Sequence, residues 1–171
     1  MTDSTSAPPS RPLSLHRETV RPEWLDYNGH MNVAYYVLVC DHATDATMDW
    51  LDLGRAYRER TGGTIFAVEA HTTYDRELNE GDPLSVDTLA LEAGAKKLRL
   101  FHTLRHAEAG FIAATNEVLL LHVDLTTRKV LPWPEDGLAR LTALVEAHAS
   151  LPRPPQVGRY VGAPRPHNGL P

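Results

Sequence analysis

A single cysteine stands among the 171 residues of this chain. No intramolecular disulfide can form, which fits a reducing compartment. Cys40 lies in the apolar run Tyr35-Tyr36-Val37-Leu38-Val39-Cys40, where a thiol is expected to pack as a small inert hydrophobe. Positive charge is not in excess either: 17 Lys and Arg stand against 22 Asp and Glu, a formal net charge of -5. A nucleic-acid binder would show a basic stripe, so no nucleic-acid partner is expected. The first ten residues lack the basic start and apolar stretch of a secretory signal. No apolar run approaches a membrane span, so no membrane partner is expected and a cytoplasmic location is the default. A Gly-x-Ser-x-Gly elbow and a phosphate-binding glycine loop are both missing, which disfavours a serine hydrolase of the α/β type.

What remains is the composition of an ordinary globular protein, 42% apolar and 23% charged, at a length that fits one domain with one core. Residues 1–11 are rich in Ser and Pro and are expected to be disordered. Residues 151–171 form a Pro/Gly-rich tail, expected to be extended over the surface or mobile. The folded domain is therefore 12–150. Leu13 to Val20 reads as a first strand, and a loop with Pro22 and Gly29 follows. Asn32 is a good N-cap, and Val33 to about Leu51 reads as a helix, apolar on nearly every face of its first half and so expected to be buried on most sides. Four strands come next: 63–74, 84–92, a segment in which Leu98, Leu100, His102 and Leu104 share one face, and 111–123. The intervening turns suggest antiparallel neighbours in meander-like succession. A closing helix is expected over 135–149, with Pro134 near its start. Strand, loop, one long helix and four strands is an α+β arrangement, a curved antiparallel sheet wrapped around one long central helix.

The informative stretch is Trp24-Leu25-Asp26-Tyr27-Asn28-Gly29-His30-Met31-Asn32-Val33. It crowds an acid, two amides and an imidazole into a loop directly before a helix. Thioester hydrolysis needs a base or nucleophile, and positive potential where the carbonyl oxygen gathers charge. A helix N-terminus offers unpaired N–H groups and a positive dipole end. The alternative is an N-capping loop with incidental polar residues, and local spacing alone weighs the two evenly.

Asp26, Gly29, His30, Asn32 and Tyr36 together resemble the signature of the 4-hydroxybenzoyl-CoA thioesterase-like hotdog superfamily. That resemblance implies a hotdog fold and an acyl-CoA thioesterase, with Asp26 as nucleophile or general base. The pattern Asp-x-Asn-x-His is also similar to plant acyl-carrier-protein thioesterases, which implies catalytic roles for Asn28 and His30, with Glu69 the counterpart of their downstream glutamate. Further blocks, among them Val68-Glu69-Ala70-His71, Lys97 to His102 and Leu120 to Asp124, look like the betainyl-CoA thioesterases of carnitine breakdown. These residues hold no dehydrogenase portion, so only the thioesterase activity carries over. The implied substrate is a short acyl-CoA, most consistent with betainyl-CoA; no cofactor is implied, because coenzyme A is part of the substrate. Such enzymes work as homodimers or homotetramers with sites at subunit junctions.

Betaine's trimethylammonium group is best held by aromatic faces and carboxylates. Tyr27, inside the loop, is the strongest candidate, with Trp24 beside it; Tyr35, Tyr36 and Trp50 read instead as core. Backbone N–H groups near Asn32 and Val33 are the expected oxyanion donors. Glu69, in mid-strand, is read as sharing a side with Ala67 and His71. It either pairs with His71 or faces the reaction.

Nine histidines invite a metal, yet His71, His102 and His122 fall on separate strands and no Cys-His cluster has ligand spacing, so no metal is expected. Asp41, Asp45 and Asp49 read as a like-charged helix stripe facing solvent or another subunit, in preference to a cation-attracting one. Lys96, Lys97, Arg99 and Arg105 either meet coenzyme A phosphates or form a solvated strand face. Two rival readings remain. A hotdog hydratase is disfavoured because its Asp and His lie five apart across a proline. A non-catalytic acyl-CoA-binding module is disfavoured by the intact Asp26.

Overall fold

The structure is a computed structural model that describes residues 7–164. Parts of both terminal tails, 1–6 and 165–171, lie outside the described residues.

Strand β1 (Leu13–Thr19) is followed by a 3-10 turn over Pro22–Trp24 and then by helix α1 (Val33–Trp50). Helix α2 (Arg55–Thr61) leads into β2 (Gly63–Tyr74), β3 (Pro83–Ala93), β4 (Lys97–His106) and β5 (Ile112–Asp124), and α3 (Glu135–His148) closes the domain. The five strands form one antiparallel sheet in the order β1-β3-β4-β5-β2. A curved antiparallel sheet around a long helix is the expected hotdog arrangement, with one correction to the topology. Only β3, β4 and β5 form a meander. The chain crosses from β2 to β3, and β2 pairs with β5 at the far edge.

Alternation places Leu84 and Val86 of β3, Leu100 and Leu104 of β4, and Ala114 and Val118 of β5 on the face that receives the helices. Two apolar clusters fill that face. One sets Tyr36, Val39, Cys40 and Ala43 of α1 against Leu84, Val86, Leu104 and Ala114. The other sets Met48 of α1 and Leu141 and Leu144 of α3 against Leu98, Leu100, Val118 and Leu120. Burying one Leu side chain of this kind contributes about 1.5–3 kcal/mol.

α1 is less enclosed than its composition suggests. Val33 and Val37 are 56% and 41% exposed, and Trp50, expected in the core, is 42% exposed. One face of the helix therefore lies open beside the edge strand β2, whose residues Phe66 to Ala70 are all exposed. The segment after α3 does not leave the domain: Leu151 and Val157 pack on Leu89, Leu91 and Phe101, across the outer face of the sheet. None of the helices among the described residues is long and apolar enough to cross a membrane.

Candidate active site

The loop before α1 closes on itself through its own backbone. Leu25 and Met31 form an antiparallel bridge, Asp26 N–H donates to the His30 carbonyl at 2.9 Å, and Gly29 N–H donates to the Asp26 carbonyl at 3.0 Å. The tight turn needs a positive φ at its fourth corner, and Gly29 supplies it at +80°. Met31 N–H donates to the Leu78 carbonyl, which ties the loop to the segment between β2 and β3. Within this frame Asp26 is half-buried, and its Oδ1 accepts the Asn28 N–H at 2.8 Å. Its Oδ2 has no hydrogen-bond partner among the described residues. That is a carboxylate with one oxygen fixed and one available.

At the helix start, Asn32 Oδ1 accepts the Ala34 N–H at 3.0 Å, an N-cap whose loss costs about 1 kcal/mol. The Asn32 N–H donates to the Trp24 carbonyl at 2.9 Å. The expectation of oxyanion donors at both Asn32 and Val33 is therefore corrected: Asn32 spends its amide and its side-chain oxygen on holding the loop and the helix. The Val33 N–H, in the first turn and at the positive end of the α1 dipole, has no partner among the described residues. Tyr74, in β2, donates its hydroxyl to the Val33 carbonyl at 3.5 Å and so flanks the same spot.

Tyr27 is 98% exposed, and Asn28 beside it is also exposed. His30 Nε2 lies 3.5 Å from a Glu77 carboxylate oxygen, a neighbour that sequence spacing could not supply because Glu77 comes from the β2–β3 crossover. Trp24 does not join this rim. It is only 3% exposed, stacked on Tyr35 at 5.2 Å and covered by the Arg21 guanidinium at 5.0 Å, so its faces are engaged inside the protein. Sealed in this way, Trp24 anchors the loop and offers no open face to a substrate cation within one chain.

Glu69 lies elsewhere. A bulge between Ala67 and Glu69 sets Ala67 opposite Leu120 and Glu69 opposite Leu119, so the two lie on opposite faces of β2, not on the same one. Glu69 and His71 share the outer face with Glu117, Arg99 and Arg159, around a polar depression. Within one chain, then, Asp26, Asn28, His30, Asn32 and Val33 come together and Glu69 is not among them.

The basic residues of β4 are occupied. Lys97 meets Glu92 at 2.5 Å, Arg99 lies 3.4 Å from Glu117, and Arg105 donates to Asp87 at 3.1 Å. They read as a paired strand face. The Asp49 carboxylate of the acidic stripe has a specific task, accepting the Arg55 N–H at 2.9 Å at the start of α2.

The inner-face histidines have partners on both ring nitrogens. His102 lies between Thr44 and Thr88, each hydroxyl 2.9 Å from a ring nitrogen. The Thr44 hydroxyl donates to the Cys40 carbonyl, so it must accept from Nε2–H, which leaves Nδ1 to accept from Thr88. Burial pushes this imidazole down to about 3, and it stays neutral. His122 is held by the Tyr57 hydroxyl and the Pro132 carbonyl and stacks on Trp133. Cys40 is 1% exposed, and burial, with Asp41 nearby, pushes its thiol up to about 12, so it is no nucleophile.

Residues 20–141, which contain the loop and all the strands after it, match the model of the thioesterase-like superfamily. Betainyl-CoA thioesterase from Pseudomonas aeruginosa is 39% identical over 91% of this chain and 98% of its own length. The L-carnitine dehydrogenase/betainyl-CoA thioesterase of Rhizobium meliloti is 33% identical over 95% of this chain, which corresponds to 32% of that longer protein. Among solved structures, a Staphylococcus aureus protein in complex with CoA superposes with a TM-score of 0.81, at 30% identity, over 90% of this chain and 98% of that one.

Proposed function

The chain belongs to the thioesterase-like superfamily, and from that footing we propose that the acyl-CoA thioester it hydrolyses is betainyl-CoA, yielding glycine betaine and free coenzyme A. The observation that carries this reading is the 39% identity to a betainyl-CoA thioesterase across nearly the full length of both chains. Enzymatic thioester hydrolysis is the shared activity of the family; the betaine acyl group is our assignment.

In this reading Asp26 is the reacting carboxylate. Its free oxygen takes a proton from water while the water oxygen bonds to the thioester carbonyl carbon. The C–S bond then breaks, and the proton passes to sulfur, so coenzyme A leaves as the thiol. Direct attack by Asp26, followed by hydrolysis of the resulting anhydride, uses the same placement. The Val33 N–H holds the oxyanion, where a dipole end acts most strongly on developing charge. Asn28 and His30 orient water or substrate at the rim. Tyr27 offers its ring to the trimethylammonium group, an attraction of about 0.5–2 kcal/mol depending on desolvation.

A rim with a fully exposed Tyr27 is half a site. The other half, we infer, comes from a second copy joined through β2. Of the two sheet edges, β1 is short and carries His16, Arg17 and Glu18, features that blunt an edge. β2 has twelve residues with Phe66 and Val68 exposed, next to the open face of α1. A long apolar edge of that kind favours strand pairing.

The test is a thiol-release assay with betainyl-CoA beside acetyl-, butyryl- and hydroxybenzoyl-CoA. The proposal expects the highest kcat/KM on betainyl-CoA. A clear preference for an uncharged acyl chain would overturn the betaine assignment and leave the thioesterase activity standing.

A further inference from the structure

Two strand residues and one helix residue meet where β1 packs on α1. His16 and Glu18 are two apart on β1, so they project from one face of it, toward α1; His42 reaches them from the helix. Glu18 Oε1 lies 2.8 Å from His16 Nε2 and 2.8 Å from His42 Nδ1. The three ligand-type atoms all lie within 4.8 Å of one another, and the two rings meet edge to face at 5.5 Å. The side chains are largely sheltered, at 19%, 12% and 35% exposure for His16, Glu18 and His42.

We propose that His16 Nε2, Glu18 Oε1 and His42 Nδ1 form a binding site for a divalent first-row transition cation, with Zn²⁺ the best fit. Two imidazoles and one carboxylate are donors of the borderline kind that zinc takes, and three protein ligands leave room for water. The geometry is close to what the metal needs. Zinc bonded to nitrogen and oxygen at about 2.0–2.1 Å in a tetrahedron sets its ligand atoms about 3.3 Å apart. Each N···O separation must therefore open by about 0.5 Å from 2.8 Å, a shift within reach of side-chain rotation.

The electrostatics favour a cation. Glu18 brings a carboxylate whose Oε1 is within hydrogen-bond distance of both rings. Asp41 and Asp45 of the same helix stand next to His42 in sequence and one turn on, and Asp45 interacts with it. Arg21, 3.7 Å from the other Glu18 oxygen, opposes them as a single exposed charge. A metal replaces the two hydrogen bonds made by one carboxylate oxygen with three coordinate bonds, one to that oxygen and one to each ring. In each neutral ring the displaced proton relocates to the other nitrogen, so proton balance is kept without a co-reactant. The bound ion would clasp the edge strand β1 to α1, the two elements that flank the Asp26 loop in sequence.

The experiment is calorimetric titration of the metal-free full chain with Zn²⁺, and separately with Mg²⁺. The expected result is one zinc per chain, bound far more tightly than magnesium. His16→Ala and His42→Ala should each weaken zinc binding at least about tenfold, while His71→Ala leaves it unchanged. A second measurement needs no variant. In the imidazole ¹⁵N spectrum of the unaltered protein, zinc should shift the ring nitrogens of two histidines and no others. Equal zinc affinity in the His16 and His42 variants, or a spectrum in which no histidine or a different set responds, would overturn the site.

Discussion

The backbone N–H of Asn28 donates to Asp26 Oδ1 across 2.8 Å, which fixes one oxygen of the carboxyl and leaves the other toward the rim of the loop. An amide can replace the carboxyl without losing that bond, because Asn keeps an oxygen acceptor. Asp26→Asn should thus fold as the parent does, with an unchanged Tm, and lose turnover by about 10²- to 10⁴-fold. Steady-state kinetics beside a thermal melt checks it; near-parental kcat would remove Asp26 from the chemistry.

Tyr27 buries almost none of its ring in the chain, being 98% exposed. Its removal should leave stability untouched and act on substrate recognition alone. Tyr27→Ala is expected to raise KM for betainyl-CoA by about 2- to 30-fold, the range of cation–π energies, with little effect on acetyl-CoA. Equal losses on the two substrates would mean that the ring does not read the cation.

The edge of β2 should carry the oligomer. Val68 is 52% exposed at the bulge, and a lysine there places a charge where a second strand would pair. By light scattering after gel filtration, the unaltered chain should elute as a dimer or tetramer, and Val68→Lys as a folded monomer with depressed activity. A monomeric unaltered chain at micromolar concentration would refute the shared site.

His102 makes stability depend on pH. The folded imidazole titrates at about 3 while the unfolded one titrates near its ordinary 6.5. Above that ordinary value neither state is charged, and the contribution is complete. As the pH falls from there toward 3, the unfolded chain gains a proton that the folded chain refuses, and stability drops by at most about 1.4 kcal/mol per pH unit. Urea midpoints between pH 4 and 8 should show a steeper acid decline for the parent than for His102→Leu. Parallel declines would contradict the neutral buried ring.

Much of this could be read in the chain beforehand, and the exceptions share a cause. Strands with strict alternation, such as Leu98 to Leu104, and the Asn32 cap are local signals and stand where the residues put them. Helix α2 escaped notice because Arg55 to Thr61 buries Tyr57 alone and takes its cap from Asp49, six residues upstream on another helix. Parity placed Glu69 with Ala67, and a single bulge undid it. The pairing of β2 with β5, the Glu77 neighbour of His30 and the joining of His16, Glu18 and His42 all depend on contacts across 24 or more residues, which no local pattern encodes. The proposed loop residues were legible as a group for the opposite reason: they are consecutive.

The segment after α3 bears on how larger assemblies are built. Gly158 N–H donates to Glu117 at 2.6 Å, and Leu151 and Val157 sit on Phe101, so residues 151–158 thatch part of the outer side of the sheet. Back-to-back stacking of two dimers on that ground would have to peel the thatch away or fit around it. Any growth beyond a pair would then favour ground that residues 151–158 leave bare.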